Sequence, residues 1–184
     1  MRDDVGMRPS ELIDRGPVTL RRWRVGDADE LYRVIADTVE HLRPWMPWAQ
    51  HHDLERTRVF LIEAELEWSA GQGYGYAVCA DGRIVGSTAL MAKVGPGGLE
   101  LGYWLHRSYT GRGYMSIAAG ALVDEAAGLP GIDYVEVHHD AANTASGAGA
   151  SRLGFTEVER RPRPRSSLAP ADSGVEVVWR RAVR

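Results

Sequence analysis

Residues 99–116 read Leu-Glu-Leu-Gly-Tyr-Trp-Leu-His-Arg-Ser-Tyr-Thr-Gly-Arg-Gly-Tyr-Met-Ser, and this stretch decides the fold prediction. A strand pattern leads into a short loop with Gly111 and Gly113, and a helix pattern follows directly. Glycine lets a backbone approach a ligand closely, and a helix N-terminus presents unpaired N–H groups with partial positive charge. The loop therefore predicts a phosphate or pyrophosphate site, to which Arg112 can add a charge-assisted contact. The alternative is a tight turn that serves packing only.

The composition excludes several classes of protein. The chain has 184 residues, a net charge of −3 and one cysteine, Cys79. The charge argues against binding nucleic acid through phosphate neutralisation, and the single cysteine excludes a disulfide framework and a Cys-rich metal site. The six histidines show no metal-ligand spacing, so no metal is expected. Neither a membrane-spanning run nor a signal-peptide layout is visible, so the expected location is the cytoplasm, away from membranes.

The apolar pattern predicts seven strands and four helices. Strands are expected at residues 18–24, 74–80, 84–91, 99–106, 132–139, 155–158 and 175–179. Helices are expected after Asp27 and at residues 54–70, 112–127 and 144–153. In the second helix Val59, Ile62 and Leu66 are expected to face the core, with Phe60 as a further candidate. This order predicts one α/β (α+β) domain over residues 18–184, after an N-terminal extension of residues 1–17.

Four segments together resemble one known family. Glu100-Leu-Gly-Tyr-Trp-Leu-His and Tyr109-Thr-Gly-Arg-Gly-Tyr look like the acyl-CoA-binding segment of the GNAT N-acetyltransferases, most closely the RimJ/RimL type. Residues 18–27, residues 41–48, and Asn143-Thr-Ala-Ser with the later Arg152-Leu-Gly-Phe match other segments of that type in the same order. The resemblance implies the GNAT fold, a single mixed, mostly antiparallel sheet of about seven strands flanked by about four helices, and acetyl-CoA as cosubstrate.

The resemblance also assigns the residues that bind the cofactor. The backbone of Tyr103, Trp104 and Leu105 would pair with the pantetheine arm like an added strand, and Asn143 would bond a pantetheine amide. The pyrophosphate would bind the loop and helix start formed by Thr110, Gly111, Arg112, Gly113, Tyr114, Met115 and Ser116. Two positions depart from the family pattern, because Thr110 replaces a Gln or Arg and Met115 replaces a small residue. Asn143 can also serve as a helix cap.

Acyl transfer to an amine requires a base, an oxyanion donor and an acid for the leaving thiolate. By resemblance Glu100 is the candidate base, Ser146 the candidate acid and a main-chain N–H near Leu105 the oxyanion donor. Two alternatives to Glu100 as the base stay open. A water relay can take the proton, or Glu100 can lie on a solvated strand face paired with an arginine.

Three residues are candidates for the acceptor side. Trp45 and Trp48 either line the acceptor channel or cap the core between the first two helices. His138 either relays a proton or is a surface or packing histidine, and at most one of His138 and His139 can face the cleft because adjacent strand residues point in opposite directions. The arginines of residues 160–165 either attract an acidic acceptor or form a solvated loop.

The resemblance thus implies an acetyl-CoA-dependent N-acetyltransferase of a primary amine, with the N-terminal α-amine of a ribosomal protein as one acceptor. An α-amine needs less help from a base than a lysine does. A small amine such as an antibiotic or a polyamine is the alternative acceptor. A non-catalytic acyl-CoA-binding module is the alternative class. The resemblance also implies a homodimer.

Overall fold

The computed structural model of the protein describes residues 8–184. These residues contain four α-helices, namely α1 (Ala28–Leu42), α2 (Leu54–Ala70), α3 (Tyr114–Gly128) and α4 (Thr144–Arg152). They also contain eight strands, namely β1 (Leu12–Arg15), β2 (Val18–Arg22), β3 (Gly73–Ala80), β4 (Arg83–Met91), β5 (Gly98–Leu105), β6 (Tyr134–Asp140), β7 (Thr156–Pro162) and β8 (Val175–Ala182). No helix of residues 8–184 combines the length and the apolar composition that crossing a bilayer requires.

The eight strands form one sheet in the order β1-β2-β3-β4-β5-β6-β8-β7. Every neighbouring pair is antiparallel except β5 and β6, which run parallel. The single parallel pair is connected through α3, as parallel strands require a crossover segment. The predicted α/β fold with one mixed, mostly antiparallel sheet is confirmed, and the sheet has eight strands where about seven were expected.

The strand that the sequence prediction missed is β1. Its register with β2 runs from Leu12 opposite Arg21 to Arg15 opposite Val18. The prediction began the folded domain at residue 18, so β1 lies within the stretch assigned to an N-terminal extension. Of that extension, residues 1–7 lie outside the described part of the chain.

The bounds of α2 agree with the prediction because both of its ends carry strong local signals. The Asp53 side chain accepts a hydrogen bond from the Arg56 N–H at 2.7 Å, which caps the first turn. At the other end Gly71 has φ 71°, the left-handed conformation that commonly ends a helix.

The predicted inward face of α2 is wrong. Leu61, Ala64 and Trp68 are buried, whereas the side chains expected in the core are exposed. Their exposed fractions are 44% for Val59, 47% for Ile62, 64% for Leu66 and 43% for Phe60. The helix is apolar on two opposite faces. The sheet contacts the face with Leu61, Ala64 and Trp68, which is opposite the predicted one.

The two faces of the sheet carry separate apolar clusters. One cluster joins alternate residues of β5, including Leu99, Leu101 and Leu105, to the buried face of α3. The other joins α1 and α2 to the sheet, and Trp104 packs against it. Because side chains alternate along a strand, odd residues of β5 face α3 and even residues face α1.

Candidate active site

The sheet opens between β5 and β6. Their parallel register covers only three residue pairs and ends at Glu100 opposite Glu136. Beyond this point β5 continues on β4 as far as Leu105 opposite Gly86, and β6 continues on β8 as far as Asp140 opposite Glu176. Within the described sheet, residues 101–105 therefore have a strand partner on one edge only. The free edge has the hydrogen-bonding groups that an extended ligand needs to add itself as a strand.

The glycine loop lies at the end of the opening, where α3 begins. Gly111 and Gly113 have φ of 73° and 78°, a region that glycine adopts without strain. A Cβ at either position would meet nothing within 4 Å, so the space outside the loop is open to a ligand. No side chain of residues 8–184 caps this end of α3, and its first N–H groups remain available to an anion.

The side chains of the loop contribute a positive charge, on Arg112, and a local hydrogen bond, from Thr110. The Arg112 guanidinium lies 5.2 Å from the centre of the Tyr109 ring, a distance that suits a cation–π contact. The Thr110 hydroxyl donates to the Arg107 carbonyl at 2.8 Å. Thr110 thus stabilises the turn that precedes the glycines, and Arg112 lies beside them over the Tyr109 ring.

Helix α4 presents two of the predicted site residues to the α3 face of β5. The Asn143 Oδ1 accepts from the Ser146 N–H at 3.2 Å, which caps the helix. The Ser146 Oγ lies 3.3 Å from the Tyr103 hydroxyl, and either group can be the donor. Burial raises the pKa of Tyr103, and the Ser146 hydrogen bond and the nearby Arg152 oppose this effect. Tyr103 therefore stays protonated at neutral pH.

A cavity of about 100 Å³ lies between α3 and α4 against Tyr103. Met115 and Ser116 line it from α3, and Gly149 and Arg152 line it from α4. Met115 is half-buried and also packs on the α3 cluster, so its large side chain shares its contacts between the core and the cavity wall. The cavity thus lies between the first turn of α3 and the Tyr103 side chain.

The opposite face of the opening carries Glu100 and two tryptophans. Glu100 is half-buried and has no ion-pair partner within residues 8–184, so the alternative of an arginine pair is not met there. Four residues further along the strand, Trp104 lies on the same face. The Trp48 ring centre lies 6.1 Å from that of Trp104, and Trp48 is 43% exposed. Trp45 is half-buried in the turn after α1.

His138 belongs to an ionic network next to Glu100. Its Nε2 lies 2.7 Å from Oε2 of Glu136, a carboxylate that is 4% exposed. The other Glu136 oxygen accepts from the Arg180 guanidinium, whose Nε lies 2.8 Å away. Since Glu136 is opposite Glu100 in the register, the network borders the Glu100 face of the opening. His138 is thus held in place by its partner.

His139 points to the other face, as strand alternation requires. Its Nδ1 lies 2.7 Å from the Asp140 carbonyl, and the Trp179 Nε1–H donates to its Nε2 at 2.8 Å. This pattern assigns a neutral imidazole protonated at Nδ1. Both nitrogens of the His139 ring thus have hydrogen-bond partners, and the ring stacks on Trp179 beneath α4.

Asp140 ends β6 and ties it to the loop before β8. Its carboxylate accepts from the Ala142, Ser173 and Gly174 N–H groups and from the Ser173 hydroxyl, at 2.7 to 3.0 Å. Burial alone would raise the pKa of Asp140, but these donors outweigh it and lower the pKa from 3.8 to about 2. The Asp140 carbonyl accepts from the Asn143 N–H at 2.8 Å, so the start of α4 depends on this turn.

Sequence reasoning missed the side chain of Tyr103, which was given only a backbone role, and it missed Arg152. The signal for Tyr103 was present in the small residues of segment 144–151, Thr-Ala-Ser-Gly-Ala-Gly-Ala-Ser. Small residues let a large neighbouring side chain approach a helix, and a Cβ on Gly149 would lie 3.4 Å from the Tyr103 hydroxyl.

Comparisons with known proteins agree with this geometry. The family model of the acetyltransferase (GNAT) domain matches residues 18–156. A RimL ribosomal L7/L12 α-N-protein acetyltransferase in complex with coenzyme A is 23% identical, covers 94% of this chain and 98% of its own, and has a TM-score of 0.85. The microcin C7 self-immunity acetyltransferase MccE with acetyl-CoA and AMP is 19% identical, with coverages of 97% and 99% and a TM-score of 0.86. RimJ of Mycobacterium smegmatis with CoA-disulfide is 22% identical, with coverages of 96% and 90% and a TM-score of 0.81. No curated protein matches the chain.

Proposed function

This chain belongs to the GNAT acetyltransferase family and uses acetyl-CoA, and we propose that its acceptor is the N-terminal α-amine of a peptide or protein. The observation that carries the proposal is the opening between β5 and β6, which has a carboxylate on one face and a pair of hydroxyls on the other. A thioester at the end of this opening is accessible to an amine from the Glu100 face. Its sulfur is accessible to Ser146 from the α4 face.

The residues present fit coenzyme A. The free edge of residues 101–105 matches the amide groups of a pantetheine arm, and Asn143 contributes a further amide. The N–H groups at the start of α3, with Arg112, suit the pyrophosphate, and residues 111 and 113 leave room for its approach. When bound, acetyl-CoA supplies an activated acetyl group as a thioester.

Proton transfers are assigned to residues on the two faces. Glu100 takes a proton from the ammonium form of the acceptor, so that the amine nitrogen attacks the thioester carbonyl. The main-chain N–H near Leu105 donates to the oxyanion that develops. As the carbon–sulfur bond breaks, Ser146 donates its proton to the leaving thiolate. The attacking nitrogen loses its extra proton through solvent, which returns a proton to Ser146, and Tyr103 supports Ser146 through their hydrogen bond.

The acceptor class follows from basicity and from the walls of the acceptor side. An α-amine has a pKa near 7.7–8.0 and a lysine near 10.4, so one carboxylate can deprotonate the α-amine more readily. Trp48 and Trp104 offer flat apolar walls for the first side chains of a peptide. The second candidate is a small-molecule amine, which the similarity to MccE favours. A cytoplasmic location is consistent with the free thiol of Cys79.

Acetylation assays separate these readings. We expect peptides with a free N-terminus to be acetylated and the same peptides with a blocked N-terminus to be inert. Acetylation of small amines alone would refute the N-terminal acceptor. Glu100→Gln should lower kcat about a hundredfold or more without weakening acetyl-CoA binding, whereas the exposed control Glu40→Gln should change neither.

Two results would count against the proposed catalysis. An unchanged kcat in Glu100→Gln would remove Glu100 as the base and leave a water relay. Tight acetyl-CoA binding by the unaltered protein with no turnover on any amine would support a non-catalytic binding module.

A further inference from the structure

Thr38 is a polar residue in the middle of the buried face of α1. Its neighbours on that face, at helical spacing, are Leu31, Ile35 and Leu42, and all four side chains are buried. An aliphatic residue would fit this position, and a buried hydroxyl costs free energy unless it forms a hydrogen bond. Thr38 is 3% exposed, and its Oγ1 accepts the Arg107 N–H at 2.9 Å. The hydroxyl thus joins α1 to the chain directly after β5.

Arg107 begins the segment that leads to the glycine loop. Its carbonyl accepts the Thr110 N–H at 3.3 Å and the Thr110 hydroxyl at 2.8 Å. Gly111 follows Thr110 directly, so the position of Arg107 sets where the loop begins. Within the described chain, the bond to α1 is the single hydrogen bond of residues 107–112 that reaches beyond residues 106–113. Hydrogen bonding therefore ties this segment to the body of the fold at one point.

Packing supports the start of the segment and leaves the glycines without support. Burial lowers the pKa of His41 on α1, and the nearby Arg107 and His106 lower it further, so the ring is neutral at neutral pH and adds no repulsion beside Arg107. Tyr109 packs on the α3 cluster. Residues 110–113 belong to neither apolar cluster of the described residues. Their position thus depends on the turn that the hydrogen bond from α1 fixes.

We propose that Thr38 is a positioning residue for the cofactor, which holds the glycine loop where the start of α3 can receive the pyrophosphate. This role rests on the proposed function, because it takes the start of α3 as the pyrophosphate site. Thr38 acts through Arg107. When the hydrogen bond is lost, the unliganded loop samples positions that do not bind the cofactor, and the apparent affinity falls with the fraction that does. Once bound, the pyrophosphate holds the loop itself.

Calorimetric titration with coenzyme A tests the proposal. Thr38→Val keeps the shape of the side chain and removes the acceptor, and we expect coenzyme A to bind about tenfold more weakly, the scale of one lost hydrogen bond. Thr38→Ser keeps the hydroxyl and should bind as the unaltered protein does.

Thr57→Val is the matched control. Thr57 is also 3% exposed, and its hydroxyl donates to a backbone group, the Asp53 carbonyl, at 2.9 Å. This bond stays at the start of α2. Thr57→Val should therefore lower thermal stability as Thr38→Val does, and it should leave the affinity for coenzyme A unchanged.

Two further measurements separate positioning from stability. In acetylation assays, Thr38→Val should raise KM for acetyl-CoA about tenfold and change kcat by less than about twofold, because the bound cofactor holds the loop. In the unliganded protein, the NMR order parameters of the Gly111 and Gly113 amides should be lower in Thr38→Val than in Thr57→Val. The order parameters require no cofactor, so they test the loop position separately from the proposed function.

The outcomes that overturn the proposal are distinct from those that overturn the function. If the unaltered protein binds coenzyme A and Thr38→Val binds it as tightly as Thr57→Val does, the positioning role is wrong and the proposed function stands. Equal loss of affinity in Thr38→Ser and Thr38→Val would also overturn it, since the hydroxyl would then have no effect. Equal order parameters in Thr38→Val and Thr57→Val would show that the bond does not hold the loop. No binding of coenzyme A by the unaltered protein would refute the pyrophosphate site, and the positioning role with it.

Discussion

Replacing Asp140 with asparagine should remove a large, pH-dependent part of the stability. The carboxylate is 3% exposed and accepts four hydrogen bonds that join the end of β6 to the loop before β8. Asparagine keeps the shape but loses the charge. Where its amide nitrogen takes the place of Oδ2, this donor would also face a second donor, the Gly174 N–H.

The magnitude follows from the pKa of Asp140. The difference between the ordinary 3.8 and about 2 in the folded protein corresponds to about 2 kcal/mol of stability. Because the folded-state pKa is the lower one, this stability is fully present above pH 4. It is lost as the pH falls toward 2, where the folded state also takes up the proton.

Urea unfolding at a series of pH values measures the effect. At pH 7 we expect Asp140→Asn to be less stable than the unaltered protein by about 2 kcal/mol or more, and the difference should shrink by about 2 kcal/mol between pH 5 and pH 2. The exposed Asp37→Asn is the matched control and should show no such difference. Parallel pH profiles for the unaltered protein and Asp140→Asn would refute the reasoning.

Three further changes have defined outcomes. Tyr103→Phe should lower kcat about tenfold with unchanged thermal stability, because only the hydroxyl next to Ser146 is lost, and an unchanged kcat would contradict that role. Gly113→Ala should cost about 1 kcal/mol of stability and weaken CoA binding in calorimetry, because alanine is strained at φ 78°, and equal affinity would show that the loop does not hold the cofactor. Glu136→Gln should reduce the free energy of unfolding by about 1–3 kcal/mol, since it discharges the buried partner of Arg180 and His138, and no change in urea unfolding would contradict the network.

Local signals in the sequence predicted most elements of the fold. Asp53 and Gly71 carry their own capping chemistry, so the ends of α2 were predictable from neighbouring residues alone. The short strand β1 was missed because Ile13 is the one buried residue among its four, which leaves no alternation to detect. The predicted buried face of α2 was wrong because apolar residues lie on two opposite faces of the helix. The sequence pattern therefore does not indicate which face contacts the sheet.

The parts of the site that depend on long-range contacts were not predictable in the same way. The glycine loop is local, and its positive φ angles follow from the residues themselves. The divergence of β5 and β6 is a property of register between strands more than thirty residues apart, which no local pattern encodes. The contact between Tyr103 and Ser146 likewise spans 43 positions in the chain.

The short register between β5 and β6 also affects how the backbone exchanges its hydrogens with solvent. Only three residue pairs join the strands on either side of the opening, so without ligand the amides of residues 101–105 that face it should exchange much faster than those of β4. A bound pantetheine arm would slow exchange along this edge and leave β1 and β2 unaffected. The cofactor would then be an eighth interstrand connection in the middle of the sheet, and its departure would leave the two halves paired through three residue pairs only.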